Sequence, residues 1–133
     1  MDPRELVERL HTELFASGDL SALERFFAPD VVSHNMPPGF PSGLAGVRRF
    51  FETFQAAFPD LAVRVDEVVV EGDRAAVATT IEGTHEGELL GIAPTGRRVA
   101  VTGIDLVRVA EGRIVEHRGL TDTVGLLRQL GGG

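Results

Sequence analysis

The 133-residue sequence contains no cysteine, no lysine, no tyrosine and no tryptophan. Without cysteine there is no disulfide, no thiolate nucleophile and no Cys-ligated zinc or iron-sulfur site. Without lysine, Schiff-base chemistry is closed, since all thirteen basic residues are arginine. Without tyrosine, no phenol can act as an acid or as an oxyanion donor. Long apolar runs are missing as well, so no membrane span is expected. The N-terminus, MDPRELVERL, is acidic and helical where a signal peptide would be basic and then apolar, which points to the cytoplasm. The net charge is −7 and the arginines are scattered, which argues against a nucleic-acid partner.

What is present is an ordinary globular composition, 43% apolar and 25% charged, of a length that suits one domain over residues 1–133. Asp2, Pro3 and Glu5 start a helix of capping-box type, in which Leu6, Leu10 and Leu14 share a face up to Gly18. Asp19 caps a short second helix, LSALERFF, that ends at Ala28-Pro29. A brief strand, VVSHN, leads into the loop MPPGFPSG, and a third helix runs from Leu44 to Phe58. From Leu61 the pattern becomes valine-rich strands with turns at Glu71-Gly72-Asp73 and Glu111-Gly112, and TVGLLRQL closes the chain as a helix. These elements give an α+β fold, a cone-shaped curved antiparallel sheet with helices on its concave face and a small-molecule pocket at the mouth.

One stretch concentrates the chemistry. In the strand Arg97 to Ala110, the residues Val99, Val101, Gly103, Asp105, Val107 and Val109 fall on one face, and Asp105 is the only charge among them. A three-residue bulged loop at Glu111-Gly112 would set Asp105 opposite His117 and gather Arg108, Glu116 and Arg118 on the other face. A two-residue turn would instead set Asp105 opposite Arg118. The first register is preferred because it collects the valines on one side. A carboxylate and a histidine on an apolar face suit proton removal from an activated carbon. A purely structural role, with Asp105 holding His117 or a loop amide, is the competing reading.

The segments GDLSALERFFAPDVVSHNMPPG and FPDLAVRVDEVVVEGDRAAVATTIEGTHEGELLGIAPTGRRVAVTGIDLVRVAEGRIVEH, with the closing LLRQLG, resemble the SnoaL-like polyketide cyclases of the nuclear transport factor 2-like superfamily. The resemblance implies intramolecular aldol condensation without metal or cofactor, by an acid/base aspartate near the end of the last strand and a polar partner one strand earlier. The partner position matches Asp105; the aspartate matches either Gly119, where it is missing, or Asp122. Ketosteroid isomerases of the same superfamily place an acid near Asp105 and a base near His34 or Asn35, but they rely on a tyrosine.

The expected catalytic residues are therefore Asp105, His117 and Asp122, with His34, Asn35, Phe15, Phe54, Phe58 and His85 binding substrate. No close-spaced histidine pair suggests a metal, and no cofactor is expected. His11, among Glu8, Arg9 and Glu13, is expected on the surface. The implied partner is a small hydrophobic or polyketide-like substrate, handled by a cyclase or a related isomerase or lyase. A non-catalytic ligand-binding domain on the same cone is the alternative. The outer face carrying Ile104, Leu106, Arg108, Glu116, Arg118 and Leu120 mixes apolar and paired charged residues, as a homodimer interface does.

Overall fold

The computed structural model describes residues 2–15 and 18–131. The chain begins with α1, Pro3–Leu10, capped by the Asp2 carboxylate, which accepts a hydrogen bond from the Glu5 amide at 2.8 Å. A π-helical turn, His11–Phe15, continues it. Residues 16 and 17, inside the first expected helix, lie outside the described residues. Asp19 caps a 3-10 turn, Leu20–Ala22, that runs into the single-turn α2, Leu23–Phe26.

Strand β1, Phe27–Ser33, starts earlier than the sequence suggests and includes Pro29. Proline is tolerated there because β1 is an edge strand, whose outward amides need no ladder partner. Helix α3, Gly43–Ala57, is followed by β2, Ala62–Glu71, β3, Arg74–Thr84, β4, Arg98–Ala110, β5, Arg113–Thr121, and α4, Thr123–Gln129.

Among the described residues the five strands form one sheet in the order β1-β5-β4-β3-β2. The α+β architecture is as expected, but the sheet is mixed. β1 runs parallel to β5, because the chain reaches the sheet edge through α1 and α2 and only later lays down the antiparallel meander β2 to β5.

The helices cover one face of the sheet. Leu6, Val7, Leu10, Leu14, Phe26 and Ile114 are buried in one apolar cluster. Phe58, Leu89, Val99, Val101 and Leu126 form a second, under α4 and the loop that joins β3 to β4. The space between the two clusters is left open as a cavity.

The opposite face is exposed and mixes apolar with charged residues, among them Ile104 and Leu120, which pair directly across β4 and β5. No helix among the described residues is long and apolar enough to cross a membrane.

Candidate active site

The register of the β4–β5 hairpin decides what the site can be. The turn is a two-residue loop, Glu111-Gly112, with φ of 54° and 77°, closed by the pair Ala110 and Arg113. Positive φ at both loop positions matches the right-handed twist of the flanking strands. This departs from the preferred three-residue loop. A two-residue turn alone would have placed Asp105 against Arg118, yet the pairing shifts again where Arg108 opposes Glu116 and Val109 opposes Ile114. Val115 is the extra residue of that bulge.

Two shifts of one residue restore parity beyond the bulge, so Glu116, His117, Arg118 and Gly119 keep their expected faces while the pairing moves along by two, and Ile114, before the bulge, turns into the core. Asp105 stands opposite Gly119, Val107 opposite His117, and Leu106 opposite Arg118. Asp105 and His117 are thus diagonal neighbours on the concave face, a separation that long side chains bridge. His117 Nε2 lies 3.0 Å from Asp105 Oδ1. A carboxylate oxygen accepts, so Nε2 carries the hydrogen of that bond.

Glycine at 119 is what makes the contact possible. A Cβ there would fall on Asp105 Oδ1 and within 3.1 Å of the His117 ring. Gly103, two residues along β4 on the same face, lets the Thr79 and Ile81 side chains close in on the strand, and the buried Thr79 hydroxyl donates to the Gly103 carbonyl at 3.2 Å. The two glycines on the concave face thus make room for the polar side chains of the floor, Asp105, His117 and Thr79, and Val77 and Val107 wall it. Asp105 is half-buried, its side chain 32% exposed, and it opens into the cavity rather than to the outer surface.

The cavity has a volume of about 460 Å³. It is lined by Val7, Leu10, His11 and Phe15 of the first helical segment, by Phe50, Phe51 and Phe54 of α3, and by Asn35 and Met36 beyond β1. Leu89 and Leu90 of the β3–β4 loop and Leu126 of α4 close it. Phe50 and Phe54 pack at 4.8 Å, and Phe15 and Phe51 at 5.3 Å, so α3 presents a continuous aromatic wall to the polar floor.

Of the residues expected in the site, Asp105, His117, Asn35, Phe15 and Phe54 line this cavity. Asp122 does not. It is the exposed N-cap of α4, accepting from the Gly125 amide at 2.9 Å, and its carboxylate is spent on the helix start. His34 lies beyond β1 on the outer face, because alternation from buried Val31 to exposed Val32 carries it there. Its Nε2 lies 2.6 Å from Glu116 Oε2, and Arg108 donates to the other Glu116 oxygen at 3.1 Å. The His34 hydrogen bond first, then that of Arg108, holds the Glu116 carboxyl down to about 2.

Phe58 is buried against Gly83 and His85 instead of facing the cavity. His85 is fully buried and fastens the β3–β4 loop: Nδ1 accepts from the Thr95 amide at 3.2 Å. Its Nε2 has no partner.

The sequence reading missed His11. Acidic and basic neighbours suggested the surface, but its ring lines the cavity. The signal was present: Val7, Leu14 and Phe15 lie three or four residues away on either side, the spacing of one helical face. No group of acidic and histidine side chains among the described residues is arranged to hold a metal ion.

Relatives carry the same fold. The nogalonic acid methyl ester cyclase of Streptomyces nogalater is 30% identical over 120 residues, covering 88% of this chain and 89% of its own. The aklanonic acid methyl ester cyclase of Streptomyces peucetius is 29% identical, covering 96% and 89%. Among solved structures, IdmH of Streptomyces antibioticus superposes with a TM-score of 0.86 at 38% identity, covering 98% of this chain and 99% of its own. TsrD of Streptomyces laurentii gives a TM-score of 0.90 at 31% identity, covering 100% and 99%. The model of the SnoaL-like polyketide cyclases matches residues 5–130, and the chain belongs to that family.

Proposed function

We propose that the chain is a cofactor-independent cyclase that closes a ring on a polyketide-like substrate by intramolecular aldol addition, working in the cytoplasm as a single-domain homodimer. The observation that carries this reading is the Asp105–His117 hydrogen bond of 3.0 Å at the floor of an otherwise largely apolar cavity. An apolar cavity of about 460 Å³ with one carboxylate–imidazole pair in it suits a flat, mostly uncharged molecule bearing one acidic C–H.

In this reading the Asp105 carboxylate, oriented through Oδ1 by His117, removes a proton from a carbon flanked by carbonyls. The C–H electron pair becomes the enolate, whose negative oxygen is the charge that a hydrogen-bond donor in the cavity would stabilise. The enolate carbon attacks a second carbonyl of the same molecule. A carbon–carbon bond forms, the carbonyl π pair moves to oxygen, and the proton held by the pair returns to that alkoxide. Nothing is added or lost, so the product is an isomer of the substrate. No redox partner is required.

The position of the acid supports the reading. In the family pattern the aspartate falls at Gly119 or Asp122. Asp122 caps α4, and Gly119 faces Asp105 directly across the ladder. The carboxylate of Asp105 fills the volume that a side chain at 119 would occupy, so the acid comes from β4 instead of β5.

The homodimer reading rests on the outer face, where Ile104 and Leu120 are 49% and 71% exposed and pair side by side, flanked by the His34, Glu116 and Arg108 network.

The test is to incubate the protein with nogalonic acid methyl ester or aklanonic acid methyl ester and look for a product of unchanged mass and altered chromatographic retention. The reading predicts such a product from wild type and a fall of about 10² to 10⁴ in its rate for Asp105→Asn. Tight binding without conversion of either ester would favour a non-catalytic ligand-binding domain.

A further inference from the structure

A second imidazole borders the cavity from the helical wall, apart from the sheet that carries Asp105. His11 opens the π-helical turn that follows α1, and such turns frequently mark functional positions in helices. Its Nδ1 lies 2.8 Å from the Val7 carbonyl oxygen. A carbonyl only accepts, so Nδ1 carries the hydrogen and Nε2 keeps its lone pair. The ring is held from the other side by Phe15, with 5.3 Å between centroids.

Burial pushes the His11 pKa down, against the raising influence of the Val7 carbonyl and of the Asp105 charge, so the ring is neutral at pH 7. Among the described residues Nε2 makes no hydrogen bond, and it is not one of the nitrogens sealed away from solvent.

A neutral ring whose donor is already used has only an acceptor to offer. The complementary ligand group is a donor. In a wall otherwise built of Val7, Leu10 and phenylalanines, a charged donor such as an ammonium would lose its hydration, whereas a hydroxyl loses far less.

We infer that His11 determines specificity in this site: its Nε2 accepts a hydrogen bond from a phenolic or enolic hydroxyl of the bound molecule and so fixes which of its carbons faces Asp105. The inference rests on the cavity being the active site, as proposed above, but it concerns binding and can be measured without turnover.

The probes are 2-naphthol and naphthalene, which share a ring system and differ by one hydroxyl. Affinities are compared for wild type, His11→Phe, His11→Gln and Asp105→Asn. One neutral hydrogen bond corresponds to about a fivefold change in affinity. The preference of wild type for 2-naphthol should therefore fall about fivefold in His11→Phe, with naphthalene binding retained. His11→Gln, whose side-chain oxygen reaches the same region, should restore it, and Asp105→Asn should leave it in place.

In wild type, the Nε2 resonance of His11 should move on addition of 2-naphthol and stay still with naphthalene, a readout that needs no variant to fold. The inference is overturned if 2-naphthol does not bind, if His11→Phe keeps the preference, if the preference disappears with Asp105→Asn instead, or if the Nε2 resonance is unmoved at saturation. Loss of turnover in Asp105→Asn with an intact hydroxyl preference would support both readings separately. Unchanged turnover would count against the cyclase reading alone.

Discussion

Asp105 on β4 and Gly119 on β5 face each other across the antiparallel ladder, and the Asp105 carboxylate occupies the space that any side chain on Gly119 would need. The pair of residues works as a lock and its clearance. Gly119→Ala should displace the carboxylate from His117 and lower turnover by about 10² or more, while the strand pairing survives, because the clash is with a side chain and not with backbone. The check is turnover beside a thermal melt. An alanine variant with wild-type turnover would show that the Asp105–His117 bond is not needed.

The turn that sets this register is held in an unfavourable conformation. Glu111 has φ of 54°, in the left-handed region that costs a residue with a Cβ roughly 1 kcal/mol relative to glycine. Asparagine tolerates that region better, so Glu111→Asn should stabilise the protein by about 0.5 to 1 kcal/mol, visible as a raised denaturation midpoint with unchanged slope. A lowered midpoint would mean that Glu111 makes a compensating contact.

On the outer face, Glu116 titrates well below its ordinary value of 4.5, at about 2, because His34 and Arg108 bond its charged form. A carboxyl depressed on folding contributes stability that is complete above the unfolded value and is lost as pH falls through the folded one. The melting temperature should therefore drop between pH 4.5 and pH 2, and Glu116→Gln should flatten that part of the curve. Parallel curves for the two proteins would sink this assignment.

The exposed pair Ile104 and Leu120 should be covered in solution by a second copy. Sedimentation equilibrium at micromolar concentration is expected to give twice the 14.3 kDa chain mass, and Ile104→Arg to give the monomer. A wild-type monomer would contradict the dimer.

Which of these features could be read in the sequence follows from which forces are local. Caps and alternation are local, so the Asp2 and Asp19 helix starts and the valine face of β4 were legible. The faces of Asp105, His117, Arg108 and Glu116 were legible for the same reason. The exact partner of Asp105 was not, because Val115 looks like any other strand residue and nothing in Arg113-Ile114-Val115 announces a bulge. Parity rescued the contact: an even shift changes partners without changing faces.

Asp122 and His11 were misread for opposite reasons. Asp122 lies just before Thr123-Val124-Gly125, at the start of the last helix, which is a capping position as much as a catalytic one. His11 was assigned to water by its charged neighbours in sequence, although Arg9 and Glu13, each two residues away, lie on other sides of the helix. The parallel pairing of β1 with β5 joins residues about 84 apart, as in Ser33 and His117, and no local pattern encodes it.

The central claim is that the Asp105–His117 pair moves a proton on carbon. Its most direct test is deuterium uptake from D2O at the acidic methylene of a 1,3-dicarbonyl polyketide ester, followed by NMR above the buffer rate, for wild type, Asp105→Asn, His117→Ala and the double variant. The account predicts enzyme-catalysed exchange that falls by about 10² to 10⁴ in Asp105→Asn, nearly as far in His117→Ala, and little further when the two are combined, because groups acting as a unit are not additive. Exchange by Asp105→Asn at the wild-type rate would contradict it.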